Sequence, residues 1–301
     1  MKKALIIGYG SIGRKHYKVL KNINYFDKIA IFTKSKNNKV FCLKTLNEIV
    51  DYDPDYIIIS TSTNEHLKFT LFCENKFKDK KILIEKPIFG NFENIHLKNN
   101  KYFVGYNLRL LPLINFIKNK IIRYKFWTLD IECSSFLPKW RNNIEYDKSS
   151  SASRKKFGGV LRDLSHEIDY MLYFIGNVKI VFKIKKKISD LKINTDDYFQ
   201  LIGSLSKNQF VNIKLSYLNK FNKREISVIG PRLQLQASLI KNEVKYYIDN
   251  KYFEKKFQIN IENTYKIMHL SIIKNQLNNI ASVTDGLNVL KFINKIEKNE
   301  K

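Results

Sequence analysis

Residues 4–16 read Ala-Leu-Ile-Ile-Gly-Tyr-Gly-Ser-Ile-Gly-Arg-Lys-His, an apolar run that enters a G-x-G-x-x-G turn and leaves it as a helix-like stretch to Leu20. Nothing else in the chain limits the fold as much. A short, wholly apolar run is a strand buried on both faces, and a helix directly after it returns the chain to a parallel neighbour. Each glycine has a separate reason to be there. Gly8 lets the chain turn tightly, Gly10 removes a side chain where backbone N–H groups approach a pyrophosphate, and Gly13 lets the helix pack closely. With Ser11 and Ile12, the turn would present a phosphate to the positive end of the helix dipole, which is the setting for a dinucleotide.

The second strand, residues 28–32, ends in Thr33-Lys34-Ser35-Lys36-Asn37, and no acidic residue lies between Asp27 and Glu48. NAD sites usually place a carboxylate on the ribose 2′-OH about 20 residues past the glycines. A carboxylate would repel a 2′-phosphate, whereas Thr33, Lys34, Ser35 and Lys36 would receive one. NADP is therefore expected as the preferred cofactor, with NAD as the other choice. The alternative is that these lysines are solvated loop charge.

The net charge of +26 invites a nucleic-acid partner, but 8 of the 54 basic residues are Arg and the lysines are scattered. Their company of Asn and Ile points to AT-rich codon usage, and no nucleic-acid-binding module is visible. No specific nucleic-acid partner is expected, although a positive surface still attracts anionic ligands. Cys42, Cys73 and Cys133 form no C-x-x-C pair and nothing resembles a metal site, which fits a reducing cytoplasm. No apolar run nears the roughly 18 residues of a membrane span, so no membrane insertion is expected.

The first hundred residues alternate strand and helix: strands near 4–7, 28–32, 56–61, 81–84 and 102–106, with helices at 12–22, 45–51, 64–76 and 91–98. After a helix at 111–120 the pattern changes. Residues 125–136 and 178–249 read as long alternating strands, with a helix at 161–175 between them and helices at 264–279 and 285–297 after them. The fold class is α/β: an N-terminal Rossmann parallel sheet, residues 1–107, and a C-terminal α+β domain, residues 108–301, with an open, mainly antiparallel sheet. The last helix is expected to pack back on the first domain.

The chain carries an ordered set of further motifs. Glu85-Lys86-Pro87 ends a Rossmann strand, Gly105-Tyr106-Asn107-Leu108-Arg109 follows, and Gly158-Gly159-Val160-Leu161-Arg162-Asp163-Leu164-Ser165-His166-Glu167-Ile168-Asp169 comes later. Together they resemble the Gfo/Idh/MocA oxidoreductases, which use NAD(P) on sugars and polyols. Residues 60–66, Ser-Thr-Ser-Thr-Asn-Glu-His, match the family's loop beneath the nicotinamide, with Ser62 where Pro is usual. The resemblance implies that Thr61, Ser62, His66, Glu85 and Lys86 lie at the cofactor and that Asn107 and Arg109 lie at the substrate. It also implies an oligomer, a dimer or tetramer formed through the open face of the C-terminal sheet; Val211, Ile213 and Leu215 would line that contact or else a face buried under helices.

The same resemblance gives Lys86 the stabilisation of negative charge on a carbinol oxygen and His166 the exchange of its proton. Asp163 and Asp169 lie three residues either side of His166, a spacing that lets all three share a helical face. Many members place the Asp four residues before the His, where this chain has Arg162. Asp163 thus either orients His166 or binds a substrate hydroxyl. Ahead of this helix, Trp140, Arg141 and Tyr146 combine an aromatic platform with an anion clamp, as in the branch of the family associated with bacterial surface-sugar biosynthesis. A sugar or nucleotide-sugar substrate is expected. The competing interpretation is a nucleotide-binding protein of the same fold with a structural or regulatory, non-redox role.

Overall fold

The computed structural model describes residues 1–33, 40–140 and 145–298. The chain begins β1 (Lys3–Ile7), α1 (Ser11–Ile23), β2 (Lys28–Phe32), β3 (Cys42–Leu43), α2 (Leu46–Tyr52), β4 (Tyr56–Ile59), α3 (Thr63–Lys76), β5 (Lys81–Ile84) and β6 (Lys101–Val104). Next come α4 (Pro112–Arg123), β7 (Thr128–Ser134), α5 (Val160–Asp163) and α6 (Ser165–Ile175). Seven strands follow: β8 (Lys179–Lys186), β9 (Tyr198–Ser206), β10 (Gln209–Ser216), β11 (Lys223–Ile229), β12 (Leu233–Ser238), β13 (Glu243–Ile248) and β14 (Lys251–Lys256). Then come α7 (Ile261–Ile273), β15 (Ala281–Ser282) and α8 (Val283–Glu297).

Two compact units result, one of residues 1–110 with 261–294 and one of 111–260 with 295–301. Residues 261–294 thus join the first unit, whereas a division after residue 107 leaves them in the second. Side-chain and strand contacts explain this. β15 pairs antiparallel with β6, Asn107 Nδ2 donates to Thr264 Oγ1 at 2.6 Å, and Arg109 lies 3.2 Å from Asp285.

The first unit holds a seven-stranded sheet in the order β15-β6-β5-β4-β1-β2-β3, parallel throughout except for β15. β1, β4 and β5 are buried over nearly their whole length, so they read as continuous apolar runs rather than alternating ones. Strand order reverses at β1, and the hydrogen-bond ladder continues one residue past each strand. Gly8 N donates to Phe32 O, Ser60 N to Ile7 O, Glu85 N to Ile59 O and Gly105 N to Ile84 O. Gly8, Ser60, Glu85 and Gly105 therefore stand side by side along the carboxyl edge, the place where open α/β sheets bind ligands. The core behind this edge joins Ala4, Ile6, Leu20, Tyr56, Ile58, Leu83 and Phe103 to Met268 and Ile272 of α7.

No helix forms at 91–98. Glu74, near the end of α3, accepts the backbone N–H groups of Lys98 and Asn99 at 2.6 and 2.9 Å, and Asn100 Nδ2 donates to Phe77 O at 2.9 Å. Those side-chain bonds offer the backbone an alternative to helical pairing.

The second unit holds an eight-stranded sheet, β14-β13-β12-β11-β7-β10-β9-β8, antiparallel apart from the β7–β10 pair. Burial alternates along β9, β10 and β12 as a one-sided core requires. Val211, Ile213 and Leu215 are fully buried in that core. Phe116 of α4 packs on Tyr246 of β13 at 5.2 Å between ring centroids. On the other face of the central strands Asn212 donates to Asp130 at 2.6 Å and Glu132 lies 3.7 Å from both Lys214 and Lys223, while Phe210 and Ile229 are exposed near the strand ends. Among the described residues no helix is long and apolar enough to cross a membrane.

Candidate functional site

The glycine turn is built as its spacing requires, for reasons the contacts make specific. Gly8 has a φ of +99°, and a Cβ there would lie 2.7 Å from the Ser60 and Thr61 backbone. A Cβ on Gly13 would lie 2.2 Å from Gly8 O, so this glycine packs the helix against the turn itself. Gly10 differs from both. A Cβ there would meet nothing within 4 Å, so the protein's own packing does not require a glycine. Gly10 is also the N-cap of α1, where no side chain caps the helix and no acidic residue lies in the first turn. The first N–H groups of α1 keep their positive end, with Ser11 exposed and Ile12 half-buried beside it. Open space over bare N–H donors fits a dinucleotide pyrophosphate.

Two further loops reach the same edge of the first unit. After β4, Ser60 Oγ donates to Gly8 O at 3.0 Å and ties Thr61 and Ser62 to the glycine turn. Ser62 is exposed and its hydroxyl donates to Glu65 at 3.2 Å. After β5, Lys86 is half-buried and is followed by Pro87 through a cis bond. His66 is 1% exposed and is turned inward. Its Nδ1 lies 3.0 Å from Pro87 O and its Nε2 lies 3.2 Å from Thr61 O, so the ring joins the loop after β4 to the segment after Lys86. Burial lowers the His66 pKa against the opposing pull of those carbonyls and of the Glu85 charge.

Glu85 also points inward. Its Oε1 lies 3.0 Å from His16 Nε2, and its Oε2 accepts the Lys86 N–H at 3.2 Å. Burial pushes this carboxyl up, but the His16 hydrogen bond, with the Lys86 charge and amide, outweighs it and holds the group below the usual carboxylate range. Asn107 and Arg109 are each 3% exposed. Their bonds to Thr264 and Asp285 join the turn at Asn107–Leu110 to α7 and α8. Thr33 follows β2, half-buried, while Lys34, Ser35, Lys36 and Arg141 lie outside the described residues.

In the second unit the expected helix over 161–175 is two helices. It breaks at Leu164, with φ −95° and ψ 33°. Asp163 therefore ends α5, His166 and Asp169 belong to α6, and the common face read from their spacing is interrupted. Asp163 Oδ2 accepts the Tyr217 hydroxyl at 2.6 Å, and Trp140 packs edge-on to Tyr217 at 5.0 Å. Trp140 Nε1 donates to Ser135 Oγ at 2.7 Å, which fixes the indole. His166 is half-buried and Asp169 is buried. Tyr146 accepts the Lys192 N–H at 3.2 Å and so holds two loops of this unit together.

The glycine pair ahead of α5 is dictated by packing. A Cβ on Gly158 would lie 2.1 Å from Ser150 O, and one on Gly159, with φ +114°, would lie 2.3 Å from Asp196 Oδ1. Asp196 accepts the Leu161 N–H at 3.0 Å and so serves the first turn of α5. Burial raises its pKa, opposed by Lys185. Behind His166, Glu167 is fully buried and is gripped by Arg224, Nε to Oε1 at 2.8 Å. Sequence reasoning missed Tyr217, Asp196 and Arg224, because their partners lie 35 to 57 positions away. Two other omissions had a local signal. His16 falls on the buried face of α1 with Gly13 and Leu20, and a histidine on such a face needs a partner. Gly105 stands where a Cβ would lie 2.8 Å from Glu85 Oε1.

Comparison with known proteins gives a consistent picture. Residues 2–97 match the profile of an oxidoreductase family with an NAD-binding Rossmann fold. A glucose-6-phosphate 3-dehydrogenase of Bacillus subtilis (strain 168) is 25% identical over 243 residues, which span 71% of this chain and 67% of that protein. The UDP-N-acetylglucosamine 3-dehydrogenase GnnA from Acidithiobacillus ferrooxidans has a similar structure, with a TM-score of 0.75 at 13% identity over 98% of this chain and 96% of that one. A levoglucosan dehydrogenase in complex with NADH gives 0.80 at 14% identity over 99% and 96%. At these identities the structural likeness speaks for the fold.

Proposed function

We propose that this chain, whose residues 2–97 carry the NAD-binding Rossmann domain of the Gfo/Idh/MocA oxidoreductase family, is an NAD(P)-dependent dehydrogenase or reductase acting on a carbinol carbon of a sugar or nucleotide-linked sugar. The observation that carries the proposal is the turn at Gly8–Gly13, where open space at Gly10 faces an uncapped helix start. Gly8, Gly10, Ser11, Ile12 and Gly13 would hold the pyrophosphate, with Thr61 and Ser62 on the adjacent strand edge. When bound, the nicotinamide supplies or accepts the hydride. Lys86 then stabilises negative charge developing on the carbinol oxygen, and His166 takes or returns the proton of that oxygen. Asp163 is a positioning residue held by Tyr217. Trp140 offers an aromatic face to a sugar ring. Asn107, Arg109 and Tyr146 are read as holding structure together, since their polar groups already meet protein partners.

The cofactor preference remains NADP, supported by the basic and hydroxyl residues Lys34, Ser35 and Lys36 and by the lack of acid between Asp27 and Glu48. An oligomer, surface-sugar biosynthesis and a cytoplasmic setting belong to the same proposal and rest on the family resemblance and the cysteine pattern. The test is titration with NADPH and NADH, followed by turnover with glucose 6-phosphate, UDP-N-acetylglucosamine and levoglucosan. Tighter NADPH binding and cofactor-linked turnover of one of these are expected. NADH binding at least about tenfold tighter, a 1.4 kcal/mol preference, would overturn the NADP choice. Cofactor binding without turnover across sugars would favour the non-redox alternative. Gly10→Val should abolish cofactor binding and leave the fold intact, because the space it fills is empty of protein.

A further inference from the structure

Four polar side chains of the first unit lie in one buried line. Tyr56 Oη is 2.8 Å from His269 Nδ1, His269 Nε2 is 2.9 Å from His16 Nδ1, and His16 Nε2 is 3.0 Å from Glu85 Oε1. Tyr56 is 1% exposed, both imidazoles are fully buried, and Glu85 is 7% exposed. With His16 neutral the proton count allows one direction, whereas a charged His16 would reverse the line through His269 and Tyr56. An ionised carboxylate only accepts, so His16 donates from Nε2. A neutral His16 then has a bare Nδ1, which accepts from His269 Nε2–H, and the bare Nδ1 of His269 accepts the Tyr56 hydroxyl. Every donor meets an acceptor, and the one net charge rests on Glu85.

The surroundings agree with this assignment. Burial holds the His269 pKa well below the usual imidazole range, and burial with the Glu85 charge holds the Tyr56 hydroxyl protonated. Tyr265 of α7 stands edge-on to His16 at 5.5 Å, with the Lys15 ammonium 4.1 Å from its ring centroid. His66 of α3, Lys86 and Tyr265 of α7 also feel the Glu85 charge. Gly105, after β6, contributes no side chain and so leaves room for the carboxylate. Apolar side chains would fill this volume without desolvating four polar groups. The polar line ends instead on the carboxylate bonded to the Lys86 amide.

We propose that Tyr56, His269 and His16 are positioning residues for Lys86, forming a one-way hydrogen-bond chain that fixes the Glu85 carboxylate and through it the Lys86 backbone. This rests on the assignment of Lys86 as the group that stabilises the reacting oxygen.

The test uses the full-length protein and needs no substrate. The chain has five histidines, so the imidazole ¹⁵N spectrum is tractable. His16 and His269 are expected as Nε2–H tautomers, and Tyr56→Phe should release His269 into a mixture. The Lys86 amide resonance should stay in place between about pH 5 and 8 in the wild type, titrate within that window in His16→Leu as the unpaired buried carboxyl protonates, and return to wild-type behaviour in His16→Gln, which keeps an N–H donor. An Nδ1–H tautomer at His16, or a Lys86 amide indifferent to His16→Leu, would overturn the proposal. If His16→Leu does not fold, the wild-type tautomers and Tyr56→Phe decide. Turnover by Lys86→Ala is a separate arm: unchanged turnover beside the expected spectra would refute the role of Lys86, while the chain itself would stand.

Discussion

Glu85 and Glu167 make a useful pair. Each is a buried carboxylate adjacent in sequence to a half-buried residue assigned to the chemistry, Lys86 in one unit and His166 in the other. Each has a cationic or proton-donating partner from a distant helix or strand. The partners differ in kind. Glu167 meets Arg224, whose guanidinium stays charged at any working pH, and Tyr170 donates to the same oxygen at 3.2 Å. Burial would lower the Arg224 pKa, but the charges of Glu167, Cys133 and Tyr170 raise it further. Glu85 meets an imidazole whose other nitrogen continues to His269 and Tyr56. One anchor is a closed ion pair and the other is a line of protons with a direction. The ion pair holds a helix in place whatever the pH, whereas the line also depends on tautomers.

The sharpest way to break the comparison is Arg224→Met. It strands a fully buried charge and should cost ~3–5 kcal/mol in denaturant unfolding. A loss below about 1 kcal/mol would mean that Glu167 finds another partner or is not ionised in the fold.

Next in size are the two functional side chains themselves. Lys86→Ala and His166→Ala should each slow turnover by on the order of 100-fold, about 2.7 kcal/mol, with NADPH affinity nearly kept. Single-turnover measurement on whichever sugar proves active decides the matter. A His166→Ala enzyme at the wild-type rate would make His166 structural and move the proton exchange to Tyr106, Asp169 or water.

His16→Leu should cost ~1–3 kcal/mol of stability near neutral pH, because Glu85 loses its donor. The sign with pH follows from the depressed Glu85 carboxyl. Its pairing stabilises the fold above the unfolded carboxyl pKa and is lost as pH falls through the lower folded value. The gap between variant and wild type should therefore narrow in acid, as the variant's carboxyl takes up a proton. Unfolding curves at several pH values test this, and a gap independent of pH would remove the contrast with Arg224.

The smallest effect belongs to Tyr170→Phe, which deletes one donor to Glu167 and should cost about 1 kcal/mol while Arg224 remains. It should leave imidazole tautomers in the first unit unchanged. A shift in the His16 or His269 signals would show that the two anchors communicate.

Much of the first unit was legible in local sequence. Ala4 to Ile7, Tyr56 to Ile59 and Lys81 to Ile84 are short apolar runs with one sensible use, and the glycines between strand and helix repeat the steric demands seen in the contacts. Residues 91–98 misled because their local composition permits a helix, while Glu74 and Asn100 impose another path. The shared face of Asp163, His166 and Asp169 failed for a similar reason. The spacing is helical, but Leu164 leaves helical geometry where Asp163 meets Tyr217.

By itself the sequence determined the α/β class and the position of the dinucleotide turn, and its family resemblance named Lys86 and His166 as candidates. The first two depend on neighbours within a few residues, where backbone sterics and periodicity act directly. Tertiary structure alone decided which polar groups face inward. Glu85, His66, Asn107 and Arg109 sit in motifs expected to meet ligands, and each is itself buried against protein partners, most of them remote in sequence. The physical reason is that a buried polar group must be paired, and pairing is settled by whichever donors and acceptors the completed fold brings within 3 Å or so.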